Sequence, residues 1–103
     1  MLQISTEFRK GVFFVRIVGR IDNEGYLEDI NNIIEQVGIK NIVLNLNELN
    51  DISLESINHI MNYNNKVLKE KKQLFICDAK NIRNRLFSKI PNISNEIEAF
   101  SLR

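Results

Sequence analysis

Residues 41–46, NIVLNL, set Ile42, Val43, Leu44 and Leu46 in a nearly continuous apolar run, the pattern of a central strand buried on both faces rather than of an edge strand. The next six residues, Asn47-Glu48-Leu49-Asn50-Asp51-Ile52, read as a polar loop. Ser53 then stands as an N-cap, and Ile57, Ile60, Met61, Asn64 and Leu68 recur at helical spacing. That spacing predicts a helix of about four turns, from 53 to about 70, with one side on a sheet. Its other side carries Glu55, His59, Asn62 and Lys66.

Upstream, Leu2 to Phe8 and Val12 to Val18 predict a hairpin around Lys10-Gly11. Tyr26, Leu27, Ile30, Ile33, Ile34 and Val37 form a helical apolar stripe that ends at Gly38, in the position of a C′ residue. Downstream come a strand at 73–77 and a helix begun by Asp78 and ended by Pro91-Asn92. Ile97 to Leu102 fits a final strand or a short helix equally well. Strands alternating with helices after an opening hairpin call for an α/β fold, a sheet with its helices packed mainly on one side.

At 103 residues the chain has room for one core, so residues 1–103 are expected to form a single domain. A net charge of +1 gives no electrostatic case for nucleic acid, whose binders concentrate a basic excess on one face. Lys66, Lys69, Lys71 and Lys72 close a helix, where cations complement the dipole. The N-terminal MLQISTEFRK has neither the apolar core of a signal peptide nor a membrane-spanning run, so no direct membrane insertion is expected. The single cysteine, Cys77, cannot form an internal disulfide. A cytoplasmic location follows as the expectation.

No catalytic constellation stands out, and no enzyme, cofactor or metal is expected. His59 is the only histidine, which leaves no choice of bases for a nucleophilic triad. Glu55 and His59 lie four apart on one helix face, but two ligands rarely hold a metal, and an exposed helix pair is the simpler reading. Cys77 reads as a small core residue. The four glycines form no phosphate cradle.

The order of apolar strand, short loop, hydroxyl cap and amphipathic helix resembles the STAS domain of bacterial anti-sigma factor antagonists, whose text at this point runs roughly V-L-D-L-S-x-V-x-F-I-D-S-S-G-L-x-x-L. Laid without gaps from Val43, Asn45 falls on the strand Asp, Ile52 on the Ile before the motif, and Ser53-Leu54-Glu55-Ser56-Ile57 on D-S-S-G-L. Gly19-Arg20-Ile21-Asp22 resembles the family's G-x-L-D turn. Lys69 to Ile76 resembles its basic helix end and following strand, and Ile82 to Phe87 its short basic amphipathic helix. The resemblance covers essentially the whole chain and implies a mixed sheet of four to five strands flanked by helices.

It also implies a function. In the family, the second serine of D-S-S-G is phosphorylated by a partner kinase that is also an anti-sigma factor, and the phosphate releases that partner. Glu55 holds this position here, so the switch is broken or moved. The resemblance implies a regulatory protein-binding module that takes part in signalling and transcription regulation, its partner a protein such as an anti-sigma factor or serine kinase. The expected contact residues are Asp22, Asn23, Ile52, Ser53, Leu54, Glu55, Ser56 and His59. Ser53 and Ser56 are the candidate phosphoacceptors. Ser53 reads first as a cap, and Ser56 as a small residue in place of the family's Gly. The alternative reading is a STAS scaffold subunit of a signalling or transport assembly without sigma-factor control.

Overall fold

The computed structural model describes residues 2–21, 25, 28, 29, 32, 38–79, 86, 87 and 89–102. Lys10 (φ 49°) and Gly11 (φ 84°) both hold left-handed backbone, the requirement of a two-residue type I′ turn. They fold β1 (Leu2–Arg9) back on β2 (Val12–Ile21) in an unbroken antiparallel register from Leu2↔Gly19 to Arg9↔Val12. The N-terminal half of β2 pairs in parallel with β3 (Asn41–Asn45), and β3 with β5 (Gln73–Cys77).

Two short strands complete a six-stranded mixed sheet and were not expected from the sequence. Leu49–Ile52 is not a loop but a strand, β4, parallel to the C-terminal half of β2. Gly19-Arg20-Ile21 accordingly continues β2 instead of turning, with a bulge between Gly19 and Arg20. Gly19 takes φ 97°, which a side chain would oppose. Asn92–Ile93 forms β6 on the far side of β5. The sheet order is β1-β2-β3-β5-β6, with β4 beside β2.

The central strands are buried on both faces, as the apolar run in 42–46 requires. One face gathers Phe13, Val15, Ile17, Ile42, Leu44, Leu74 and Ile76 under the long helix α1 (Leu54–Lys69), which contributes Ile57, Ile60, Tyr63 and Val67. Leu68, expected in this core, is 46% exposed, and Tyr63 and Val67 take its place. Met61 packs against the core only in part. The other face gathers Val12, Phe14, Val43, Phe75, Cys77 and Ile93, covered by Ala99 and Phe100 of a short C-terminal helix, α2 (Ala99–Leu102), entered through a 3-10 turn at Glu96–Glu98. Residues 97–102 are therefore helical, one of the two readings open to them.

Gly25, Glu28, Asp29 and Asn32 are helical and exposed, on the polar side of the stripe expected at 26–37. The stripe residues themselves lie outside the described residues. So do residues 80–85 of the helix expected after Asp78, though Phe87 and Ile90 beyond them are buried in the α1-side core.

Candidate functional site

The start of α1 is held by the sheet rather than by a loop. β4 runs along the end of β2, pairing Ile52 with Ile21 and Asp51 with Arg20. The backbone N–H of Gly19 donates to the Glu48 carbonyl at 3.2 Å, and Leu49 N–H to the Leu46 carbonyl at 3.1 Å. Two residues after Ile52 leaves the sheet, α1 begins.

Ser53 caps that helix from extended backbone (φ −78°, ψ 158°). Its Oγ accepts the Ser56 N–H at 3.1 Å and donates to Ser56 Oγ at 3.0 Å. The hydroxyl is used in both directions. Glu55 in the first turn places its carboxylate where the unpaired N–H groups and the helix dipole favour negative charge. Its side chain is 77% exposed, and His59 Nε2 stands 3.8 Å away one turn along, a pair in solvent.

Of the expected contact residues, Leu54 and Glu55 stand out from the surface, Leu54 71% exposed. Ser53 is exposed, while Ile52 and His59 are half-buried beside them. Ser56 is 1% exposed, packed beneath the helix start, and its Oγ accepts the Ser53 hydroxyl. Asp22 and Asn23 lie outside the described residues. The sequence reading missed Arg20 and Asp51, an exposed ion pair at 3.5 Å that borders the same surface. No spacing along the chain reveals it, because it exists only once β4 lies beside β2.

A concavity of about 240 Å³ elsewhere on the molecule is lined by Arg16, Asn45, Asn47 and Glu48 among others. Its polar groups are largely committed within the protein. Arg16 binds Glu96 through Nε and Nη2, at 2.9 and 2.8 Å, and Glu7 at 2.8 Å. Asn45 donates to Glu96 at 2.8 Å, and Asn47 Oδ1 accepts the Ala79 N–H at 2.6 Å. The Arg16 hydrogen bonds, with help from Asn45, hold the Glu96 carboxyl below its ordinary range, and the two carboxylates raise Arg16 further above neutrality. Cys77 is fully buried nearby, and burial, with the Glu96 charge second, pushes its thiol up to about 11. A thiol held protonated is no nucleophile.

Among the described residues, none of the helices is long and apolar enough to cross a membrane, and no three His, Cys, Asp or Glu side chains gather as metal ligands.

The fold is shared with solved structures at low sequence identity. An anti-sigma factor antagonist from Mycobacterium paratuberculosis superposes with a TM-score of 0.75 at 16% identity, over 99% of this chain and 93% of that one. The anti-sigma factor antagonist SpoIIAA in its unphosphorylated form gives 0.75 at 14% identity, over 99% and 96%. A protein from Shewanella loihica with a SpoIIAA-like fold gives 0.61 at 17%, over 98% and 92%. No curated protein matches in sequence. The sequence pattern of the STAS domain matches residues 3–97, from the second residue of β1 into the 3-10 turn, and this chain belongs to the STAS domain family.

Proposed function

We propose that this chain is a non-enzymatic, cytoplasmic regulatory module that binds a protein partner of the anti-sigma factor type through the start of α1. The observation that carries the reading is the first turn itself, where an exposed Glu55 stands beside an exposed Leu54; the ungapped match to the family motif aligns Glu55 with the switch serine. An apolar side chain next to a charge suits a protein surface better than a nucleotide. Family membership and the likeness to two anti-sigma factor antagonists support the same partner class.

Glu55 cannot accept phosphate from a serine kinase. It carries permanent charge at the helix N-terminus, smaller than that of a phosphoserine and with fewer acceptor oxygens. On this reading the module sits in one state of the family's switch. Ile52, Ser53 and His59 border the contact, with Asp22 and Asn23 proposed to extend it. Ser53, accessible but engaged as a cap, is the remaining candidate phosphoacceptor. The permanent charge also favours a second reading, a scaffold subunit of a signalling or transport assembly in which no switching is needed.

Calorimetric titration with an anti-sigma factor tests the proposal. Binding that Leu54→Asp abolishes, with the fold intact by circular dichroism, is the expected result. Absence of binding for the wild type directs attention to the scaffold reading.

A further inference from the structure

Among the described residues the sheet has one long open edge. β1 lies outermost in the strand order, and its eight residues pair with β2 without interruption. Exposed edges are normally blunted by proline, a bulge, an inward lysine or brevity. β1, LQISTEFR, has none of these. Its charges are occupied, Glu7 by Arg16 at 2.8 Å and by Arg9 at 3.6 Å.

The two-residue turn fixes which backbone groups face outward. Arg9 and Val12 flank Lys10-Gly11 and must exchange both hydrogen bonds. Alternation then directs the N–H and C=O of Phe8, Thr6 and Ile4 to the open edge. The same three share one face of the sheet, where Phe8 is 54% and Ile4 37% exposed.

We propose that two copies of this chain associate by pairing their β1 strands antiparallel about a two-fold axis at Thr6. In that register Ile4 of each copy meets Phe8 of the other, Thr6 meets Thr6, Ser5 meets Glu7 and Gln3 meets Arg9. Aliphatic–aromatic and Thr–Thr partners are favourable cross-strand pairs, and no like charges stand directly opposite. The two Glu7 side chains are diagonal neighbours, each compensated by its own Arg16. One strand pair makes a contact smaller than a standard stable interface, so the association is concentration-dependent.

Sedimentation equilibrium over a wide concentration range tests this, with Thr6→Pro, Phe8→Lys, Thr6→Cys and Ser5→Cys. Thr6→Pro removes an outward N–H without touching the β1–β2 ladder. The wild type is expected to move from one chain mass towards two. Thr6→Pro and Phe8→Lys should each weaken association about tenfold or more. If Thr6→Pro unfolds, Phe8→Lys, at an exposed side chain, carries the comparison. Under copper-phenanthroline oxidation Thr6→Cys should cross-link, because a hydrogen-bonded pair holds its Cα atoms about 5.5 Å apart, within disulfide reach. Ser5→Cys should not, and buried Cys77 takes no part. A wild type that stays at one chain mass, variants that associate as it does, or cross-linking through Ser5→Cys in place of Thr6→Cys overturns the proposal.

Discussion

A single hydroxyl fixes where α1 begins. Ser53 Oγ both receives the Ser56 N–H and donates to Ser56 Oγ, so Ser53→Ala strips the first turn of a cap. The expected cost is about 1 kcal/mol, a fall of roughly 4–8 °C in the melting midpoint. A phosphate on Ser53 would remove the donation to Ser56 Oγ while leaving oxygens that can accept the Ser56 N–H. The far end of α1 carries the opposite opportunity. Lys71 sits at φ 62°, with its N–H on the Leu68 carbonyl and the Lys72 N–H on the Val67 carbonyl, the Schellman pattern with a side chain where glycine is favoured. Lys71→Gly should therefore stabilise by up to about 1 kcal/mol, seen as a raised denaturation midpoint. Burial separates two neighbours in the same way. Ile60→Ala, at a fully buried site, should cost about 2–5 kcal/mol, while Leu68→Ala should stay within about 0.5 kcal/mol in a denaturant melt.

At the scale of elements, the legibility of the chain followed length and apolar content. The hairpin, β3, α1 and β5 each have a periodic apolar pattern strong enough to be read directly, and α1 starts within a residue of its expected cap. β4 was hidden because Leu49-Asn50-Asp51-Ile52 has polar residues at its two central positions and exists only through pairing with β2, about thirty residues earlier. β6, at two residues, has no pattern at all. On α1, Ile57, Ile60 and Asn64 are buried as expected, while Leu68 falls outside the face: at about 100° per residue it lies some 80° round from Ile60, the fully buried centre of the observed stripe.

The C-terminal 3-10 turn is tied to the sheet by charge, which gives a pH dependence. Glu96 has a folded-state carboxyl depressed below its ordinary 4.5 by the Arg16 hydrogen bonds, so the unfolded chain binds its proton first on acidification. The stability it contributes is present above about 4.5 and is lost as the pH falls through the depressed value. Thermal melts between neutral pH and the acid limb should show the wild type losing more stability than Glu96→Gln below that point. Parallel curves would remove Glu96 from the account.

For the whole molecule, the sheet places one helix start at the surface and holds it there. β2 supports β4, β4 delivers Ser53, and the cap presents Leu54 and Glu55 outward. The sequence alone identified the helix start. It could not separate accessible Ser53 from buried Ser56, because burial depends on how α1 lies on the sheet. The most direct test is a calorimetric titration of an anti-sigma factor partner with the wild type, Glu55→Ser and Glu55→Gln. If Glu55 imitates the phosphorylated state, both variants should bind more tightly, Glu55→Ser by roughly 1–3 kcal/mol, with the fold unchanged. Weaker binding by both would mean that the carboxylate is itself a contact, as an arginine on the partner would make it. Equal affinities for all three proteins would contradict the account, by showing that the start of α1 is not the binding surface.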